Sequence, residues 1–144
     1  MLIDAGSAVT IDLLDNDHVF RGGLIAPGLD LMAKALNSYT ALLPIVEVKI
    51  PIPSLPADRT VTAMQAGIFL CLSACIRAAV SCYAHSLETR VPCVFFTGGQ
   101  AEVLIKGMGL YGSGEGMPPT EFWGWKWWPE QTLAGILYAA EALP

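Results

Sequence analysis

The sequence predicts an α/β domain whose sheet opens with three antiparallel strands and gains a parallel strand after two helices. Three observations carry that expectation. The first 25 residues alternate apolar and polar side chains between turn residues, the period-two signature of strands. A long apolar stretch from Ala63 to Ser86 has the length and helix-forming composition of a core helix. Val91 to Phe96 is short, β-branched and apolar throughout, as in strands buried on both faces.

Each element follows from its residues. Leu2-Ile3-Asp4 is a short apolar strand, and Ala8 to Leu14 alternates around Thr10 and Asp12. Asp15-Asn16-Asp17 supplies turn chemistry, and His18 to Ile25 returns as the third strand. Gly22-Gly23 would weaken an ordinary strand, so a close approach of backbone is expected there. After Pro27-Gly28, helical spacing runs from Leu29 to Asn37 through Met32, Ala33 and Leu36. Prolines 44, 51, 53 and 56 exclude a helix between Leu43 and Pro56, which reads as an extended crossing of the surface. Asp58 is the expected N-cap of the long helix through Thr62 to about Ser86. The strand Val91 to Phe96 ends in Thr97-Gly98-Gly99, and a helix starts over Ala101 to Ile105. Gly107 to Pro119 reads as irregular, and Phe122 to Trp128 receives no assignment. Pro129 suits the first position of a closing helix, Glu130 to Leu143. That order is the α/β layer arrangement of the ribonuclease-H-like kind, as a single domain over residues 1–144.

Composition narrows the partners. At 53% hydrophobic, the chain carries more apolar side chains than one small core needs, so some apolar surface is expected to meet a second domain or subunit. Thirteen acidic against eight basic residues give a net charge of −5 and no basic stripe, which argues against nucleic acid. Met1-Leu2-Ile3 runs into Asp4 without a basic n-region, so a cytoplasmic protein is expected. Gln65, Ser73, Arg77 and Ser81 interrupt the apolar stretch, which favours a buried helix over a membrane span. Cys71, Cys75 and Cys82 fall on one helical face with no C-x-x-C pair, and the sequence has two histidines, His18 and His85. Buried thiols are therefore expected rather than a metal site or disulfides.

Three glycine clusters carry the candidate chemistry. In Asp4-Ala5-Gly6-Ser7-Ala8-Val9-Thr10 a carboxylate leaves a strand just before a tight turn and a hydroxyl. Gly6 would let backbone approach phosphate oxygens with its N–H in an anion nest, Ser7 could donate to a phosphate, and Asp4 could hold a cation against it. Gly22-Gly23-Leu24-Ile25-Ala26-Pro27-Gly28 is the second cluster; its plain reading is a bulged strand and a turn. Thr97-Gly98-Gly99 is the third, at the carboxyl end of an apolar strand, where ligands of open α/β sheets collect and a helix N-terminus follows. Each is common alone. Their co-occurrence in this order is not.

The runs DAGSAVTIDLL, FRGGLIAPGLDLMAKAL, LLP, DRTVTAMQAG and FFTGGQAEVL, with the closing PEQTLAGILYAAEALP, resemble type III pantothenate kinases in order and spacing. The resemblance implies the second half of such a kinase, within the actin-like kinase superfamily. It implies ATP with Mg2+, a monovalent cation (K+ or NH4+) at Asp4, and ATP phosphate contacts at Gly6 and Ser7, where threonine is usual in the family. It further implies pantothenate at Thr60, the nucleoside side at Gly98 and Gly99, and a homodimer that builds the pantothenate pocket across its subunit boundary. The family's D-x-G-N-T phosphate loop and the G-x-D-R segment with its catalytic aspartate do not occur here; Asp58-Arg59 belongs to a different motif. No catalytic residue is therefore assigned, and a separate N-terminal half is an expected partner. The alternatives are a non-catalytic module like the related Bvg accessory factors, or an inactive fragment.

Overall fold

The computed structural model describes residues 1–17, 19–86, 93–111, 124–127 and 130. Strands β1 (Leu2–Ala5), β2 (Ala8–Leu14) and β3 (Phe20–Pro27) form an antiparallel meander. Helices α1 (Leu29–Tyr39) and α2 (Thr60–Ser86) follow, then strand β4 (Cys93–Thr97), helix α3 (Ala101–Tyr111) and strand β5 (Gly124–Trp127). The sheet is mixed, in the order β3-β2-β1-β4-β5, with β4 parallel to β1 and β5 parallel to β4.

Strand alternation sorts the side chains. Ile3 and Ala5 of β1, Val9 and Ile11 of β2, and Val94 and Phe96 of β4 are all buried on one face. Against them pack Leu29 and Ala33 of α1, the Met64, Ile68, Leu72 and Ile76 row of α2, and Leu104 and Met108 of α3, in one continuous core. Steps of four keep that α2 row on a single face. Full burial of each of the larger side chains among them stabilises the fold by roughly 1.5–3 kcal/mol. The opposite sheet face carries Asp4, Thr10 and Asp12, where Thr10 donates to the Asp12 carboxylate at 3.1 Å.

By length and composition α2 could cross a membrane, yet nearly half of its apolar window is buried in this core. Its other flank is open: Val61, Leu70, Cys71, Ala74, Ala78 and Cys82 are exposed. The expectation of buried thiols is corrected here. On α2, Cys71 and Cys82 are exposed and Cys75 is half-buried, because the core-facing row runs through the larger apolar residues; Cys93, at the start of β4, is exposed as well.

Four other expectations change in detail. The carbonyl of Arg59 accepts the first helical bond of α2 from the Ala63 N–H at 2.8 Å, so Asp58 stands one residue too early to cap it. Helix α3 continues through Gly107 and Gly109, because a side chain at 107 would strike the ring of Phe69 and the neighbouring Met108 is buried. Residues 124–127, within the tryptophan-rich segment, add a parallel strand to the edge of β4. The close approach expected at Gly22-Gly23 is made by Gly23, whose missing Cβ would lie 2.5 Å from the Ile11 carbonyl oxygen of β2. The closing helix expected over 130–143 lies outside the described residues, Glu130 excepted.

The extended crossing is tied to the core rather than merely laid over it. Val46, Val48 and Ile52 are buried, and the Gln65 amide of α2 donates to the Glu47 carbonyl at 2.8 Å.

Candidate functional site

Three turns meet at the carboxyl ends of β1 and β4. The pairing sets Asp4 beside Thr97 across the parallel strands and beside Thr10 across the antiparallel ones. The two-residue turn Gly6-Ser7 leaves β1, and Gly98-Gly99-Gln100 leaves β4 alongside it. Gly28, between β3 and α1, is the third member, its N–H donating to the Ser7 carbonyl at 2.9 Å.

Contact between these turns is close enough to require glycine. Gly98 adopts φ +91°, and a Cβ there would stand 2.6 Å from both the Ala5 carbonyl oxygen and Asp4 Oδ1. At Gly28 a Cβ would overlap the Gly6 carbonyl oxygen and lie 2.8 Å from that of Ser7. A left-handed backbone and a backbone neighbour at van der Waals limit are the two conditions under which only glycine fits. Gly99, by contrast, is exposed and has open space around it.

Asp4, Gly6, Ser7, Gly98 and Gly99, expected on sequence to share a cleft, are therefore drawn to one corner. Asp4 is half-buried with Oδ1 against Gly98, while the Ser7 side chain is exposed. One detail differs from expectation. The Gly6 N–H donates to the Ala8 carbonyl at 3.1 Å, so that group is engaged inside its own turn and the expected nest does not include it. The Ser7 hydroxyl and the positive ends of α1 and α3, whose first residues are Leu29 and Ala101, are among the groups still open to an anion.

The three turn motifs contain no Lys or Arg. The turns themselves therefore bring no positive side chain to a bound polyphosphate, while the Asp4 carboxylate is a hard oxygen ligand that a cation could share with it. Among the described residues no group of three or more His, Cys, Asp and Glu side chains stands close enough to hold a metal unaided. Any cation at Asp4 would therefore need further ligands beyond these side chains.

Thr60 lies elsewhere. As the first residue of α2 it rims an apolar groove of about 750 Å3 between α1 and α2, lined also by Met32, Leu36, Met64, Gly67 and Cys71. The groove and the corner share α1: Met32 sits one helical turn beyond Leu29.

Sequence reasoning missed Gln100. Its backbone N–H donates to the Ala5 carbonyl at 2.9 Å, and its side-chain Oε1 accepts the Leu29 N–H at 2.9 Å. No local signal marked it, since glutamine is not a favoured N-cap residue and its side-chain partner lies 71 positions away.

A family model described as type III pantothenate kinase matches residues 1–81, more than half of the chain and including the first two glycine turns. The chain belongs to the type III pantothenate kinase family. The type III pantothenate kinase of Christiangramia forsetii is 36% identical over 104 residues, 72% of this chain and 42% of that protein. That of Dinoroseobacter shibae is 32% identical over 111 residues, covering 77% and 43%, and that of Chlorobaculum tepidum is 37% identical over 112, covering 74% and 41%. The chain thus spans about two fifths of the length of these relatives. In fold it is similar to a conserved Baf family protein of Campylobacter jejuni, with a TM-score of 0.62 at 21% identity, over 99% of this chain and 58% of that one.

Proposed function

We propose that this chain is the phosphate-holding lobe of an ATP-dependent kinase that converts pantothenate to 4'-phosphopantothenate, and that it acts with a complementary lobe. The observation that carries this reading is the meeting of Asp4 and Ser7 with Gly98-Gly99 at one corner of the sheet. Membership of the kinase family supports ATP as the phosphoryl donor and a small molecule as the acceptor. The strand order β3-β2-β1-β4-β5, with β2 alone antiparallel to the rest, supports the ribonuclease-H-like architecture of actin-like kinases.

Phosphoryl transfer rests on in-line positioning, charge neutralisation and acceptance of the hydroxyl proton. This chain's residues serve the first two. Ser7 donates its hydroxyl to a phosphate oxygen, Gly98 and Gly99 let the nucleotide approach the backbone, and two helix N-termini orient toward the anion. Asp4 holds the monovalent cation, K+ or NH4+, which with Mg2+ on ATP supplies the neutralising charge. The G-x-D-R segment that would carry the base does not occur in this sequence, so the base is assigned to the complementary lobe. Thr60 at the rim of the apolar groove would meet pantothenate, with a second copy of the chain closing the groove along the open flank of α2. The setting is cytoplasmic.

Calorimetric titration of the purified chain with a non-hydrolysable ATP analogue in K+ tests the corner. Binding that Ser7→Ala weakens about tenfold is expected, the loss of one charge-assisted hydrogen bond. No saturable binding would remove the phosphate assignment. Incubation with ATP and pantothenate should release no ADP above background; turnover by the chain alone would refute the need for a second lobe. Binding with no turnover even when the complementary lobe is supplied would favour a non-catalytic module.

A further inference from the structure

We infer that Gln100 is a positioning residue: a latch whose side chain and main chain hold the three glycine turns together as one anion-binding corner. Three chain segments are bound by this one residue. Its N–H fixes the end of β1 through Ala5, its Oε1 fixes the start of α1 through Leu29, and its carbonyl accepts the Leu104 N–H at 3.2 Å to open α3. The partners of its first two bonds are 95 and 71 positions away in sequence, so no local turn could substitute for them.

The geometry around Gly28 shows why the latch is needed. Gly28, the N-cap of α1, has no side chain and makes no side-chain cap of its own. Helix α1 therefore begins with N–H groups that require acceptors from elsewhere. The Ser7 carbonyl takes the Gly28 N–H, and Gln100 takes that of Leu29. Gln100 Oε1 also lies 3.0 Å from where a Gly28 Cβ would be, so the amide fills the space that the glycine leaves. The Gly28 and Leu29 amides are thus satisfied by protein, and Ser7 is held by the same contacts that close the helix.

The nucleotide consequence rests on the kinase reading; the latch itself does not. Two substitutions separate its parts. In Gln100→Ala the main-chain bonds persist and only the side-chain arm is lost. In Gln100→Glu the carboxylate still accepts from Leu29, at a helix N-terminus that favours negative charge, but it brings that charge to the anion corner.

Amide hydrogen exchange and titration with the non-hydrolysable ATP analogue would be measured on both variants and on the unaltered chain. The expected result is at least tenfold faster exchange at Leu29 in Gln100→Ala, with Ile76 of the core unchanged, and binding weakened about tenfold. Gln100→Glu should keep Leu29 protected yet bind the analogue at least tenfold more weakly, with the deficit growing as salt is lowered. Unchanged Leu29 exchange in Gln100→Ala would overturn the latch, as would equal acceleration at Leu29 and Ile76, which marks general destabilisation. If the unaltered chain binds no analogue, the kinase reading falls while the exchange arm still decides the latch.

Discussion

The glycine corner and the groove between α1 and α2 stand one helical turn apart and are built on opposite terms. At the corner, backbone meets backbone: Gly98 lies against Ala5 and Asp4, Gly28 against Ser7, and Gln100 bonds both neighbouring turns. In the groove, methyl and thioether groups border about 750 Å3 of open space, and Gly67 has nothing within 4 Å of a would-be Cβ. The corner is finished by residues of this chain. The groove, among the described residues, is not filled by any of them, and an apolar surface of that kind is stabilised only when something covers it.

The comparison can be tested at matched glycines. Gly98→Ala should be the most damaging, destabilising the chain by about 3 kcal/mol through left-handed strain and backbone overlap. Its neighbour Gly99→Ala, with open space, should cost less than about 1 kcal/mol. Urea unfolding of the two variants measures the contrast, and equal losses would mean the corner is not tightly fitted. Gly67→Ala should go the other way and stabilise by about 0.5–1 kcal/mol, since glycine within a helix is unfavourable and no neighbour resists the methyl. Sedimentation of the same variant sharpens the point: weakened self-association would place a partner directly over Gly67.

The smallest expected effect lies at the β2–β3 hairpin. The Val19 N–H, followed by the Arg21 side chain and the Asp17 N–H, holds the Asp15 carboxyl below its ordinary value of 3.8. With the folded value lower than the unfolded one, the contribution is complete above about pH 4 and fades as pH falls through the folded value. Asp15→Asn should therefore lower Tm slightly at neutral pH and flatten its fall between about pH 4 and pH 2, the two proteins converging at the acid end. An unchanged acid limb would mean that these hydrogen bonds do not persist in solution.

The sequence spoke most clearly where structure is local. The boundaries of β1, β2 and α1 agree with the spacing of their apolar residues to within two positions, because turn residues flank each one. The corner was legible for a related reason: its glycines are demanded by backbone geometry, which leaves a mark in the sequence. Helix α2 concealed its orientation. It is apolar nearly all round, so spacing could not distinguish the row Met64, Ile68, Leu72 and Ile76 from the cysteine flank. Gly107 looked like a helix breaker because its reason for being glycine, the Phe69 ring, lies 38 positions away. Gln100 was invisible on the same principle, since its partners come from other parts of the chain. Strand β5 is short, and its place beside β4 in a parallel pair is a long-range fact that four residues do not carry.

β1 is bonded along both edges, to β2 on one side and β4 on the other, and Asp4 sits within that doubly paired stretch. Its backbone cannot shift toward a ligand without breaking the centre of the sheet. On the kinase reading proposed above, the backbone at this corner stays still and any closing motion falls to the facing lobe, which leaves the present chain as the anvil rather than the hammer.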